Sequence, residues 1–387
     1  MDNDIKRFNF LCDKFNKEVF HKKYNELENL IKEIEKNYPK EKSITEYFKV
    51  VIEFYKNFTN SLKSYDNLSL SNTFNKYLSE GYYYSIKIKS KQQIRVNLDI
   101  QYPWTVLNPS IIKDEDNFIM NIRSSNYRIL PGGNYVSLEE DKVIRTRNFI
   151  RIMDLSFTEI KTYEIIEPDR FLKRNWGIKG FEDIRIFKFK DQLKFLTATY
   201  DTHNLNIQRV SQADIVNEKI VNIINLNIPG VKKITEKNWL PFQYEEKVGN
   251  GVTKIYCVYS YSPFIILDIT NTSKIKIASN LKVEYNFTSF RGSASPIKYK
   301  DGYICLIHQV YTETDNRKIY TNRLIYFEEF IIKKISHQFY FQKHQIEFCC
   351  GMCISNDDFI FTYGVNDEEA YISVIDKGII DEMIYSI

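Results

Sequence analysis

No apolar run in this sequence approaches the roughly 18 residues that a membrane-crossing helix requires; "PFIILDI" is among the longest. No membrane span is therefore expected. The first ten residues, "MDNDIKRFNF", lack a basic stretch followed by an apolar one, so they do not read as a secretory signal, and a cytoplasmic protein is expected. Neither G-x-G-x-x-G nor G-x-x-x-x-G-K-[ST] occurs, which argues against a Rossmann or P-loop enzyme. Basic blocks are missing too. Lys232-Lys233 and Lys333-Lys334 are short pairs and the net charge is only +4, so no nucleic-acid partner is expected. The six cysteines, Cys12, Cys257, Cys305, Cys349, Cys350 and Cys353, contain one C-x-x-C with no second pair and no nearby histidine. They read as reduced thiols in buried strands, and no metal site is expected.

Aromatic residues are what the chain has in excess. There are 28 Tyr and 27 Phe against 13 Gly and 9 Pro, and 43% of the 387 residues are hydrophobic. Tyr and Phe favour strands, and tyrosine also lines sugar-binding clefts because its face is apolar and its tip polar. The length suffices for one large domain or two ordinary ones.

The hydrophobic period divides the chain. Over residues 1–80 it is helical: "NELENLIKEIEKNY" sets Leu27, Leu30, Ile31, Ile34 and Tyr38 on one face. "SITEYFKVVIEFYKNFTNSL" opens with the capping pair Ser43 and Glu46, and a third helix is expected over Ile5–Phe20. These helices form a module, degenerate-repeat-like in pattern, that could serve to join copies in a homo-oligomer. From Tyr82 onward the period is two. "RIFKFKDQLKFLTATYD", "KIYCVYSYS", "YICLIHQVY" and "DDFIFTYG" alternate or run apolar over strand lengths, joined by polar turns such as "KDED", "KDQ" and "KDG". Strand pairs recur at spacings that suit four-stranded propeller blades better than a sandwich. The predicted fold of residues 81–387 is therefore a mainly β propeller.

In a propeller the first strands of the blades converge, so polar residues at strand starts can meet although distant in sequence. Five segments carry them: "NPSIIKDEDNFIMNIRSSNY" with Asn108 and Arg123; "TRNFIRIMDL" and "GFEDIRIF" with Arg147, Asn148, Glu182, Asp183 and Arg185; "TEKNWLPF" with Lys237, Asn238 and Trp239; "FRGSASPIKYKDGYICLIHQVY" with Arg291 and His308; and "IEFCCGMCISNDDFIFTYGVND" with Tyr363 and Asp367.

In this order the segments resemble glycoside hydrolase family 130, over residues 100–375. The family comprises β-mannoside phosphorylases and β-1,2-mannosidases, with related β-1,2-mannosyltransferases. The resemblance implies a five-bladed β-propeller and an enzyme that makes or breaks a β-mannosidic bond by phosphorolysis or glycosyl transfer. It implies Asp183 as general acid/base, the role glycoside cleavage asks of a carboxyl group beside the leaving oxygen. Arg147, Lys237, Arg291 and His308 are the expected phosphate-binding set, with arginine able to grip phosphate bidentately. Glu182, Arg185, Asn108, Arg123, Asn148, Asn238, Trp239, Tyr363 and Asp367 are expected to bind sugar. No cofactor is implied; inorganic phosphate or a sugar phosphate is a substrate, alongside an oligosaccharide. Two departures stand out: Ile184 replaces the motif's proline, and Gln309 follows His308 where the family has glycine. Two other readings remain. One is a nucleotide-sugar glycosyltransferase, for which Asp114 and Asp116 give a formal D-x-D; the other is a non-catalytic sugar- or protein-binding propeller.

Overall fold

A computed structural model describes residues 24–37, 39, 45, 49, 52, 85–130, 134–168, 177–203, 207–228, 235–245, 252–312 and 318–386. The chain divides into two compact units, Met1–Ile86 and Lys87–Ile387. In the first, helix α1 spans Tyr24–Asn37, and Leu27, Leu30, Ile31 and Ile34 are its buried face, as the 3.6-residue spacing predicts. The expected helices over 5–20 and 43–62 lie outside the described residues, apart from the helical Thr45, Lys49 and Ile52.

The second unit is mainly β, with its sheets in a propeller-like arrangement. Five sheets have four or more strands, nearly all their pairings antiparallel, and one is a two-stranded ribbon. Each larger sheet contributes one strand nearest the shared centre: β1 (Thr105–Asp114), β2 (Glu182–Phe189), β3 (Leu240–Glu245), the short β4 (Phe290–Gly292) and β5 (Glu347–Ser355). β1 packs on β5 and β2, β2 also on β3 and β5, and β4 on the strand Thr253–Tyr261 beside β3. The strand Gln92–Val96, early in the unit, pairs with Glu369–Asp376 and so completes the sheet that contains β5. That pairing joins the two ends of the β unit. Separate apolar cores fill the spaces between sheets; one gathers Phe181, Ile184, Ile186, Phe195 and Ala213, another Phe242, Tyr256, Phe264, Cys305 and Phe327.

The polar turns behave as their composition predicts. Lys190 and Asp191 both adopt positive φ (49° and 60°), the geometry of a tight two-residue hairpin. All five described cysteines are buried free thiols. No described helix is long and apolar enough to cross a membrane.

Candidate active site

Near the starts of the first three central strands the backbone takes the same unusual conformation. Asn108, Asp183 and Asn238 all have positive φ (44°, 49° and 62°). This left-handed conformation is tolerated best by asparagine and aspartate among residues with a side chain. At Asn108 and Asp183 the pairing register also slips, between Leu107 and Ser110 and between Glu182 and Arg185. Such bulges re-aim a side chain out of the ladder. The two bulges and the positive φ at Asn238 together bring three polar groups to one cavity, while Ile184, standing where a proline was expected, is fully buried between sheets.

The cavity holds about 380 Å³ and is lined by Asn108, Arg123, Glu182, Asp183, Lys237, Asn238, Arg291, His308 and Asp367. Nine of the predicted site residues thus meet. The Asp183 Oδ1 atom accepts from Arg123 Nη1 at 2.7 Å and from Asn108 Nδ2 at 3.0 Å. Burial alone would push this carboxyl up, but Arg123, Arg185 and the Asn108 hydrogen bond together hold it below the usual range. Its two acidic neighbours behave oppositely. Burial pushes Glu182 and Asp367 up, although Arg123 opposes this in both and Tyr127 donates to Asp367 Oδ2 at 2.7 Å. The cavity therefore presents one carboxyl held as carboxylate and two that take a proton more readily.

The opposite charge comes from Lys237 and Arg291, neither of which forms an ion pair among the described residues. His308 stands with them. Burial and then Arg291, Arg185 and Lys237 lower its pKa to about 3, so the ring is neutral at physiological pH. Its Nδ1 lies 2.8 Å from Ser293 Oγ, and its ring stacks on Tyr320 with centroids 5.3 Å apart. Neutral imidazole and two cations without an ion-pair partner among the described residues are a fitting lining for an anion.

Five predicted residues are not in this lining. Both nitrogens of the Arg147 fork that face Glu164 are bonded to its carboxylate, and the guanidinium lies over the Trp104 and Phe149 rings. Asn148 is buried between strands, donating to the Phe181 carbonyl at 2.9 Å and accepting from Asn121. Trp239 is buried with its indole N–H on Glu236, 3.0 Å away, so its face is not open to a pyranose. Tyr363 is fully buried, stacked on Phe341 and hydrogen-bonded by Gln93 and Gln342. Arg185 lies one step below the site: its Nε donates to the Ser293 carbonyl at 2.8 Å and its Nη1 to the Asp183 carbonyl at 3.1 Å. It lines a separate cavity of about 680 Å³ formed farther along the same central strands. Arg185 thus braces the backbone on either side of the site. Of the D-x-D pair, Asp114 is bonded to Lys188 at 2.7 Å, and no described cluster of His, Cys, Asp or Glu has the makings of a metal site.

Sequence reasoning missed Tyr127, Tyr135, Tyr200, Gln208, Lys318, Tyr320 and Phe348 in the lining. Tyrosines are too frequent in this chain to stand out singly, and Tyr127 and Tyr135 belong to a ribbon that interrupts the first large sheet.

This arrangement defines the fold class: the β unit has a fold like that of glycoside hydrolase family 130. A structure from that family of mannoside phosphorylases, which contains glycoside hydrolases that target β-1,2-mannosidic linkages in Candida mannan, is 11% identical, with 71% of this chain and 85% of that one covered and a TM-score of 0.52. A glycosyl hydrolase from Bacteroides ovatus is 12% identical over 71% of this chain and 85% of its own, with a TM-score of 0.51. A structure from Bacteroides thetaiotaomicron, described as a glycosidase, is 13% identical over 77% and 95%, with a TM-score of 0.50. The chain matches no protein-family model and no curated protein.

Proposed function

We propose that this protein is a carbohydrate-active enzyme that forms or cleaves a β-mannosidic bond, exchanging a mannosyl group between phosphate and a sugar hydroxyl. The observation that carries this reading is the meeting of the Asp183 carboxylate with Lys237, Arg291 and His308 in one cavity. A purely binding propeller has no need of a carboxylate set against these cations. In this reading the five larger sheets are the five blades of a propeller, each bringing its central strand to the site.

In the synthetic direction, the anomeric carbon of a mannosyl phosphate breaks its bond to phosphate and forms one to the acceptor oxygen. The acceptor hydroxyl passes its proton to Asp183 as general base. Lys237, Arg291 and the neutral His308 hold the departing phosphate. Phosphorolysis is the reverse: phosphate attacks the anomeric carbon while the protonated Asp183 gives its proton to the leaving sugar oxygen. The depressed pKa of Asp183 favours the carboxylate, which is the form that synthesis starts from. Asn108, Arg123, Asn238, Glu182 and Asp367 surround the sugar hydroxyls. Arg185 acts through the backbone of Asp183 rather than on the substrate.

The test is to incubate the protein with mannose 1-phosphate, or separately GDP-mannose, and a panel of mannoside acceptors, and to follow phosphate or nucleotide release. Consumption of mannose 1-phosphate that Asp183→Asn abolishes supports the reading. Consumption of GDP-mannose alone would move the protein to the nucleotide-sugar transferases, and consumption of neither would sink the enzymatic reading.

A further inference from the structure

The short strand β4 carries Arg291 to the cavity, and His308 stands directly opposite it on the neighbouring strand Gly302–Thr312. Residues opposite each other in an antiparallel ladder share a face, and so does the residue two steps on. That residue is Ser293. Its N–H donates to the Leu306 carbonyl at 3.0 Å, and its carbonyl accepts from Arg185 Nε at 2.8 Å. Both of its backbone groups are thereby fixed. Among the described residues its hydroxyl has one partner, His308 Nδ1, 2.8 Å away.

Burial decides which of these two atoms supplies the hydrogen. Ser293 is 0% exposed and His308 2%. The His308 ring is neutral at physiological pH, so one of its nitrogens donates and the other accepts. With the hydrogen on Nδ1, the serine oxygen would accept it, and the serine's own hydrogen would face no described acceptor. An unmet donor in such a buried place is costly. With the serine donating to Nδ1, both groups are satisfied and the imidazole hydrogen sits on Nε2. The ring cannot easily turn away from this arrangement: Tyr320 stacks on its face and Phe348 meets it edge-on, with centroids 5.3 and 5.1 Å away. No described residue bonds to Nε2.

We infer that Ser293 is a positioning residue for the anion: by donating to Nδ1 it fixes His308 as the Nε2–H tautomer and makes the ring a neutral hydrogen-bond donor in the cavity. The inference rests on the mannoside reading given above and deepens it by naming the group that sets the protonation of its phosphate site. The other tautomer would turn a lone pair toward the phosphate oxygens, which carry lone pairs of their own. The chosen one adds a donor beside Lys237 and Arg291 without adding a third positive charge.

The experiment joins a spectroscopic readout to a binding one. Long-range proton–nitrogen NMR of the protein labelled with 15N-histidine reports the tautomer of each of its five histidines, and the signal missing from His308→Gln identifies His308. At pH 7 the unmodified protein should show Nε2 protonated and Nδ1 bare; a proton on Nδ1 would overturn the proposal. In Ser293→Ala the ring should populate both tautomers. Its Kd for inorganic phosphate, measured by calorimetry, and its KM for mannose 1-phosphate should each rise about fivefold, the size of one ordinary hydrogen bond. The KM for a mannoside acceptor should stay within twofold, whereas a merely structural loss would raise both KM values together. If Ser293→Ala keeps the tautomer and the phosphate affinity of the unmodified protein, the positioning role is wrong and the mannoside reading stands. If the unmodified protein neither binds phosphate nor consumes mannose 1-phosphate, the mannoside reading fails and the role of Ser293 toward an anion falls with it, whichever tautomer is seen.

Discussion

Asp183 and Arg123 form a nearly buried ion pair, Oδ1 to Nη1 at 2.7 Å, with side-chain exposures of 19% and 6%. A pair so placed is not easily replaced by solvent. Removing the cation leaves a carboxylate in a low-dielectric wall, at a cost of about 3–5 kcal/mol. Because the folded pKa of Asp183 is depressed, its contribution to stability is present above the ordinary carboxylate pKa and is lost as pH falls through the folded value. Arg123→Gln should therefore lower the melting temperature at neutral pH. It should also shift the acid limb of the kcat/KM profile for synthesis to higher pH, since Asp183 then titrates nearer or above its ordinary value. An acid limb that stays in place would show that another group controls it.

Asp183→Asn is the sharper test of chemistry. Asparagine tolerates the positive φ at this position, as Asn108 and Asn238 do at theirs. The variant should fold, bind acceptor and lose about 10²–10⁴-fold in turnover, the range expected for one general acid/base. Calorimetric binding of an oligosaccharide alongside the rate assay separates the two effects.

His308 should leave its mark on stability against pH. Its folded pKa of about 3 lies below the ordinary 6.5, so the unfolded chain takes up a proton that the folded chain refuses. Stability from this group is intact above pH 6.5 and falls as pH drops toward 3, by about 1.4 kcal/mol per pH unit across that window. His337, which burial holds at about 4, adds a similar slope. Denaturant melts from pH 7 to 4 should show the decline, and His308→Gln should flatten part of it. A curve unchanged by the substitution would mean that the His308 pKa is not depressed.

Lys237 and Arg291 should matter to the anion and not to the acceptor. Charge-assisted bonds contribute about 1.5–3 kcal/mol each, so Lys237→Ala and Arg291→Ala should each raise KM for mannose 1-phosphate by roughly ten- to a hundredfold. Acceptor KM should move little. Equal losses for donor and acceptor would place these cations elsewhere in the reaction.

How much of this was legible in the sequence depends on the residue. The helix-to-strand change of period, the paired polar turns and the strand starts with Asn108, Asp183 and Asn238 carry local signals, and the structure realises them where it describes them. The burial of Trp239 and Tyr363 carries none. Each sits in a motif-bearing segment, and only the packing of neighbouring strands decides whether a ring faces a cavity or Phe341 and Glu236. Arg147 stands outside the cavity lining for a similar reason: its partner Glu164 is 17 residues away on the next strand, and only the pairing register brings them together. Tyr135 carries no local signal either, because only the placement of its short ribbon brings it to the cavity wall.

Gly364 links the last sheet to the site through shape alone. A Cβ there would lie 2.3 Å from Asn108 Oδ1 and 2.7 Å from the Asn108 backbone nitrogen, closer than real contacts come. The glycine of "YGVND" thus makes room for the amide that donates to Asp183. Gly364→Ala should cost about 1–3 kcal/mol in stability, the range for forced overpacking. It should also push Asn108 aside, weakening one of the bonds that hold Asp183 as a carboxylate, so the acid limb should move to higher pH. Gly378→Ala, whose Cβ would meet only the flexible end of Asp376 at 2.9 Å, should change neither stability nor the profile by as much. If Gly364→Ala is destabilised but keeps the unmodified pH profile, the chain has yielded elsewhere and Asn108 still holds its carboxylate.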